Sequence, residues 1–318
     1  MLELIKKLTA SVSVSGRESA IRQTLRELTE PYGETRVDAL GNLIVHKKGS
    51  GKRILLAAHM DSIGLIVTYV DENGFARFGA LGALRPVAAI GQKFRFESGA
   101  VGVVCAERGV KPEDLTVDKL YVDMLGQPVK VGDTAAYLSE PVVAGDTIAS
   151  AFLDDRIGCA ILLKTLELLR PTDNDIYCVF TAQEEVGARG AKTAAFSIMP
   201  ELAFAVDVCG LHDTPGEQKV NSLKIDGGPV LNVMDGSVLC HPAAIACLQN
   251  AADKLGIKAQ RLVATRGGSD AGNIFSAGCG VPTALLTVPT RYVHSPNEVA
   301  SIKTAMDCAR ILAEAIAE

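Results

Sequence analysis

Apolar residues recur along the chain in two patterns, short strand-like runs and helical faces, and their order divides the sequence into three parts. The first part begins with two amphipathic helical segments within residues 1–32. Ser15, with Glu18 three positions later, fits a capping box at the start of the second helix. Two strand-like pieces around residues 40–42 and the apolar run RILLAAHMD follow. This part therefore predicts two helices and three strands.

The middle part, from about Leu65 to Ser150, has a different pattern. Short β-type runs alternate with Gly, Pro, Asn and Asp, and helical periodicity is nearly absent. Strands at this spacing are typical of a small β-barrel or sandwich. Because helix–strand alternation resumes afterwards, we predict an inserted domain at residues 67–148 and a larger α/β domain formed by residues 1–66 and 149–318.

The third part alternates helices and strands to the end of the sequence. Apolar residues recur at helical spacing after Asp155 and stop at Pro171, which predicts a helix. Strand-like runs end near Glu184, Asp207 and His294, with helical segments between them. The predicted fold class is therefore α/β with a mixed sheet that carries the β-rich insertion.

Polar residues stand at the ends of these apolar strands, or at the start of a helix, in five places. In open α/β sheets, functional sites form outside the carboxyl ends of the strands. Two adjacent carboxylates at such a position repel each other unless a proton or a cation lies between them. The five places hold, in chain order, His59 with Asp61, Asp154 with Asp155, Glu184 with Glu185, Asp207, and His294.

Two imidazoles with three or more carboxylates make a donor set that suits Zn²⁺ best, with Co²⁺ or Mn²⁺ as possible ions. Five donors exceed the three protein ligands of a typical catalytic zinc, and they fit two ions that share a carboxylate. Residues two apart on a strand face the same side, so Asp61 can accept the second ring N–H of His59. Taken singly, each residue also fits a helix cap or a solvated turn. Their co-occurrence at strand ends favours a metal site.

Composition limits the classes of function. The net charge of −5, without a large Lys/Arg cluster, argues against nucleic acid as a partner. The absence of Trp argues against a stacking platform for sugars or single strands. Eight scattered cysteines without a CxxC pair indicate reduced thiols and a cytoplasmic protein. Charged residues break the N-terminal apolar run, so we expect neither a signal peptide nor a membrane span, which needs ~18 apolar residues.

Six motifs, taken together and in chain order, resemble those of the M42 metallo-aminopeptidases, the family of glutamyl and tetrahedral aminopeptidases. The resemblance runs from about residue 14 to residue 318 and is weakest in the β-rich insertion. The motifs are HMDSIG (59–64), AFLDDRIG (151–158), TAQEEVGARGA (181–191), AVDV (205–208), RGGSDAG (266–272) and VPTRYVHSPNEV (288–299).

The resemblance implies a role for each matching residue. Glu184 would bind no metal and would be the general base for a water held between two ions, and Asp61 would orient His59. The peptide bond between Asp154 and Asp155 would be cis. The metal ligands would be Asp154, which bridges the two ions, His59 and Asp207 on one ion, and Glu185 and His294 on the other.

The same resemblance implies a fold and an assembly. The α/β domain would be a mixed-sheet catalytic domain of the zinc-exopeptidase type, also described as phosphorylase/hydrolase-like. The insertion at residues 67–148 would be a PDZ-like dimerisation domain. Dimers of this family commonly assemble into a hollow tetrahedral dodecamer, so self-association is expected.

The predicted function is hydrolysis of the N-terminal peptide bond of short peptides with two divalent metal ions. Three alternatives stay open from the sequence. A deacylase or carboxypeptidase with the same metal site would use Arg266 or Arg291 to bind a substrate carboxylate. A glycosidase would need two carboxylates and no metal. A binding or scaffold protein would keep the site inactive. Substrate preference depends on pocket shape, which we expect the loop at residues 267–269 and the insertion to set.

Overall fold

The computed structural model describes residues 1–217 and 220–317. Among these residues, no helix is long and apolar enough to cross a bilayer. The helices are α1 (Leu2–Thr9), α2 (Ser19–Thr29), α3 (Pro86–Ala89), α4 (Leu153–Leu168), α5 (Arg189–Ile198), α6 (Pro242–Lys254), α7 (Asp270–Phe275) and α8 (Ile302–Ala315). The strands are β1 (Glu34–Val37), β2 (Leu43–Lys47), β3 (Arg53–His59), β4 (Gly64–Val70), β5 (Phe75–Leu81), β6 (Lys93–Phe96), β7 (Val101–Ala106), β8 (Leu120–Asp123), β9 (Thr134–Tyr137), β10 (Val142–Ala144), β11 (Thr147–Ser150), β12 (Asp175–Thr181), β13 (Leu202–Gly210), β14 (Val230–Met234), β15 (Gln260–Val263), β16 (Thr283–Thr290) and β17 (Glu298–Ser301).

The large sheet has eight strands in the order β1-β2-β12-β3-β13-β16-β14-β15. Its four central strands, β12, β3, β13 and β16, run parallel to one another. Strand β2 pairs antiparallel with β12, and β14 pairs antiparallel with β16. The structure therefore confirms the predicted α/β class with a mixed sheet.

Helices cover the central strands and explain their composition. Helices α1, α4, α6 and α8 form one packed group, while α5 and α7 form a second, and both groups contact the central strands. Strand β16 is buried at every position, and β3 is buried after its first residue. Strands with helices on both faces read as continuous apolar runs, as these do in the sequence. Their carboxyl ends meet at one edge of the sheet.

A closed six-stranded barrel, in the order β4-β5-β8-β7-β6-β9, forms from the β-rich middle of the chain. It has its own hydrophobic core, in which Phe94, Val104 and Val122 are fully buried. Of the two predicted architectures, the structure therefore shows the barrel. Its first strand begins at Gly64, so the predicted limit after residue 66 falls inside β4.

A three-stranded sheet, β10-β11-β17, joins the end of the barrel segment to the C-terminal part of the chain. Strand β11 pairs antiparallel with β17, and this register places Ser150 opposite Glu298. The start of α4 follows directly after β11. This pairing therefore brings Glu298 next to the first residues of α4.

The predicted capping box at the start of α2 is wrong. Helix α2 begins at Ser19, and its preceding residue makes no side-chain cap. Ser15 instead donates a hydrogen bond of 2.6 Å to Asp61 Oδ2. Glu18 Oε1 accepts hydrogen bonds from the backbone N–H groups of Gly16 and Gln183. Both side chains thus connect the N-terminal segment to the edge of the large sheet, and this long-range contact takes precedence over the local pattern.

Candidate metal centre

One edge of the large sheet carries most of the predicted site residues. Strand β3 ends at His59, and Asp207 lies near the end of the neighbouring parallel strand β13. Glu184 and Glu185 follow the end of β12, and His294 follows the end of β16. Because these four strands are parallel, their ends bring residues that are distant in sequence to the same place.

Asp154 reaches this edge from the start of α4, where the backbone departs from helical geometry. Phe152 has a left-handed backbone conformation with φ 64°, and the Asp154–Asp155 peptide bond is cis, as the resemblance implied. Asp154 Oδ1 lies 2.9 Å from Nε2 of His59, and Asp154 Oδ2 lies 3.1 Å from Nε2 of His294. Each oxygen of one carboxylate therefore faces a different imidazole.

The five predicted ligands form two clusters that share Asp154. His59, Asp154 and Asp207 offer one set of ligand atoms, and Asp154, Glu185 and His294 offer the other. Within each cluster these atoms lie within 4.8 Å of one another. Buried carboxylates need a compensating charge, and Glu185 Oε1 is buried without a hydrogen-bond partner. The arrangement fits two divalent cations that share one carboxylate.

The imidazoles and carboxylates of the centre shift one another's pKa values through their hydrogen bonds. Burial alone would lower the pKa of His294, but its hydrogen bonds to Asp154 and Glu185 raise that pKa to about 11. Burial alone would raise the pKa of Asp154, but hydrogen bonds from His294 and His59 lower it below its ordinary value. An imidazole binds a metal ion in its neutral form, so a cation at this site would displace any proton from His294.

Glu184 lies beside these clusters and belongs to neither. Its Oε2 atom is 3.9 Å from Nε2 of His59, and the side chain lines the cavity that contains the centre. Burial raises its pKa well above the ordinary value of a glutamate, although the charge of His59 opposes this shift. Glu184 is therefore a largely buried carboxyl group that lies beside the candidate ligands.

Asp61 contacts both His59 and the turn that carries Glu184 and Glu185. Nδ1 of His59 lies 3.2 Å from the backbone oxygen of Asp61 and 3.6 Å from its Oδ1 atom. The carboxylate of Asp61 accepts hydrogen bonds from the backbone N–H groups of Glu184 (2.9 Å) and Glu185 (3.2 Å). Asp61 therefore fixes the glutamate turn relative to His59. With it, all seven sequence-predicted site residues lie together.

The family model of the M42 glutamyl aminopeptidases matches residues 41–311, which is most of the chain. The chain belongs to the M42 glutamyl aminopeptidase family. Membership confirms the resemblance and makes the protein a hydrolase that acts as an aminopeptidase. It also implies divalent metal ions, for which the two clusters of this M42 chain are the candidate ligands.

Individual relatives agree with the family match. A chain from Acetivibrio thermocellus named "Putative aminopeptidase" is 45% identical, over 99% of this chain and 98% of that one. Lysyl aminopeptidase from Pyrococcus furiosus is 32% identical, over 95% of this chain and 92% of that one. The solved structure of the Pyrococcus horikoshii TET1 peptidase has a TM-score of 0.88 at 29% identity, covering 99% of this chain and 98% of that one. That peptidase can assemble into a tetrahedron or a large octahedral shell.

Sequence reasoning gave no role to Glu298, which the structure of this M42 chain places against two of the candidate ligands. Glu298 is 2% exposed. Its Oε2 atom accepts a hydrogen bond of 2.9 Å from the backbone N–H of Asp154, and its Oε1 atom accepts one of 2.8 Å from that of His294. His294 itself has a left-handed backbone conformation, φ 64°, which needs such support. The sequence signal that could have identified Glu298 is its position as an acid four residues after His294 in the same motif.

Replacement of Glu298 with glutamine is expected to weaken metal retention by about 10- to 100-fold, the usual effect of losing a residue that orients a ligand. Glutamine keeps only one acceptor oxygen, so one of the two backbone N–H groups would face an amide NH₂. Metal per chain, measured after dialysis against increasing chelator, tests this. Glu314→Gln is the control, because Glu314 pairs with Arg170 at 2.7 Å and contacts neither cluster. Equal retention in both variants would contradict the prediction.

Proposed function

We propose that this M42 enzyme removes the N-terminal residue from short peptides and uses two divalent metal ions to do so. The observation that carries the proposal is the position of Asp154, whose two oxygens each lie beside a different imidazole. A carboxylate in this position is suited to join two cation sites. Zinc fits this mixture of imidazoles and carboxylates best, and cobalt and manganese accept the same donors.

Glu184 is the residue that we assign to proton transfer. When bound, the two ions would polarise the scissile carbonyl and lower the pKa of the attacking water. The Glu184 carboxylate lines the cavity outside both clusters, and burial raises its pKa. Its carboxylate would take a proton from the water and pass it to the nitrogen of the leaving amine. Asp61 would hold the Glu184 backbone in place.

The positions of two arginines favour this function over a carboxypeptidase or deacylase. Either alternative needs a cation for the substrate carboxylate. Arg291 is already paired with Asp213 through hydrogen bonds of 2.8 and 2.6 Å. Arg266 lines a neighbouring cavity and not the one that contains the metal centre. A glycosidase is also disfavoured, because its two carboxylates would have no use for His59 and His294.

We also propose that the protein self-associates, with the six-stranded barrel as the dimerisation domain and a dodecamer as the larger assembly. The TET1 peptidase, which can assemble into a shell, supports self-association. Exposed apolar side chains on the barrel segment support the barrel as the dimerisation domain, since such groups mark interaction surfaces. They include Tyr69 (59% exposed), Val87 (68%) and Val131 (64%). A light-scattering mass equal to one chain would contradict the proposal.

The proposed function is tested by chelation and by blocking the substrate amine. Activity on aminoacyl-p-nitroanilides should disappear after chelation and return when zinc, cobalt or manganese is added. N-acetylated peptides should not be cleaved, whereas the same peptides with a free amine should lose their first residue, as mass spectrometry would show. Faster cleavage of the acetylated peptides would establish the deacylase alternative, and activity that survives complete metal removal would exclude the metal-dependent function.

A further inference from the structure

The cavity that contains the metal centre has a volume of about 740 Å³ and, among the described residues, an unusual distribution of charge. All its charged or ionisable lining groups belong to the centre itself, namely the two histidines, the three acidic ligands and Glu184. The remaining walls are glycine, small or apolar side chains, and a few neutral polar ones. Once the centre holds its cations, Glu184, which we assign to proton transfer, is the one charged or ionisable side chain of the described wall that is not a candidate ligand.

The neutral polar side chains of this wall are largely engaged by the chain itself. The hydroxyls of Ser237 and Ser269 donate to the two oxygens of Asp235, at 2.7 and 2.6 Å. The Ser276 hydroxyl donates to a backbone oxygen of its own helix at 3.0 Å. The amide nitrogen of Asn273 donates to the backbone oxygen of Ala188 at 2.8 Å. The wall therefore offers a substrate side chain few free hydrogen-bond donors.

Phe275, Val208 and Val293 supply the larger apolar surfaces of the same cavity. Phe275 is 37% exposed, so part of this residue is accessible to solvent. A lysyl ammonium or a glutamyl carboxylate placed against these apolar side chains would lose water without gaining a charged partner from them, which costs free energy. An aliphatic side chain would bury apolar surface there and gain free energy.

We propose that the cavity accepts substrates whose N-terminal residue has an uncharged, mainly apolar side chain. This inference rests on the proposed aminopeptidase function and adds the class of residue removed. It separates the chain from the Pyrococcus furiosus relative, which is named a lysyl aminopeptidase. Arg266 offers a cation in the neighbouring cavity, where Asp235 is also a lining residue, so the charges there are of both signs.

The test compares leucyl-, methionyl-, lysyl- and glutamyl-p-nitroanilide with the metal-loaded enzyme. The leucyl and methionyl substrates should have kcat/KM values at least about tenfold above the two charged ones. A lysyl or glutamyl value equal to or above the leucyl value would overturn the inference and leave the aminopeptidase function intact. A glutamyl preference would place the side chain near Arg266. If none of the four is hydrolysed, the proposed function itself fails, and this inference fails with it.

A charge added to the wall gives a second readout. Ser276→Asp places a carboxylate on the cavity side of α7, and it should raise the ratio of lysyl to leucyl kcat/KM about tenfold, the effect of one charge-assisted hydrogen bond. The ratio does not depend on how much of the variant is folded. Ser197→Asp is the matched control, because Ser197 also donates to its own helix but lies outside the cavity. An unchanged ratio in Ser276→Asp would overturn the assignment of this wall to the side chain.

Discussion

Glu184→Gln should lower kcat by about 10²- to 10⁴-fold, the usual contribution of a general acid–base residue, and leave the metal content unchanged. The reason is geometric. Glu184 lines the cavity but lies outside both ligand clusters, so an amide at this position removes the proton acceptor and no metal ligand. Initial-rate assays measure kcat, and elemental analysis measures the metal content per chain, so the two effects can be separated.

The neighbouring glutamate supplies the control. Glu185 belongs to the cluster of Asp154 and His294, and its Oε2 atom lies 3.3 Å from Nε2 of His294. Glu185→Gln should therefore lose metal, and part of its activity should return at high metal concentration. The two variants make the same chemical change one residue apart, and they should fail for different reasons. Normal turnover in Glu184→Gln would remove Glu184 from the mechanism.

This division between adjacent glutamates depends on their backbone. Asp61 accepts both of their N–H groups, and the preceding residue, Gln183, has a left-handed conformation with φ 58°. Glu18 holds the N–H of Gln183. The turn is thus fixed by two buried acids, which allows one glutamate to reach the ligand cluster while the other stays outside it.

The grouping of the candidate ligands could be predicted from sequence because parallel strands bring their carboxyl ends to one edge. His59, Asp207 and His294 each end or follow an apolar run, and this pattern needs no knowledge of the partner strand. The supporting residues could not be found in this way. Glu298 acts through hydrogen bonds to backbone groups, and only the pairing of β11 with β17 brings it beside Asp154.

Local patterns were also misleading where a tertiary contact was stronger. Ser15 and Glu18 have the spacing of a capping box, but Ser15 binds the carboxylate of Asp61 and Glu18 binds the backbone N–H of Gln183. In the middle of the chain, the sequence predicted short strands yet did not distinguish a barrel from a sandwich. That difference depends on the closing pairs, β4 with β9 and β6 with β9, whose partners are far apart in sequence.

Asp154→Ala should remove both metal ions, because Asp154 is the only described residue common to the two clusters. Alanine has no acceptor oxygen, so neither cluster would keep the ligand that they share. Loss of the ions removes several kcal/mol of transition-state stabilisation, and activity should fall at least about 10³-fold. Metal per chain, measured by elemental analysis after gel filtration, gives the direct readout.

Asp155→Ala is the matched control for that variant. Asp155 is the next residue and is fully buried, but its carboxyl group belongs to neither cluster and accepts a hydrogen bond from the backbone N–H of Gly158. This variant should keep its metal. His294→Ala should lose only the ion of its own cluster, since His59, Asp154 and Asp207 remain. If Asp154→Ala also lost a single ion, Asp154 would be a ligand of one site and the shared carboxylate would have to be another residue. The graded loss across these three variants therefore decides between one bridged pair of ions and two independent sites.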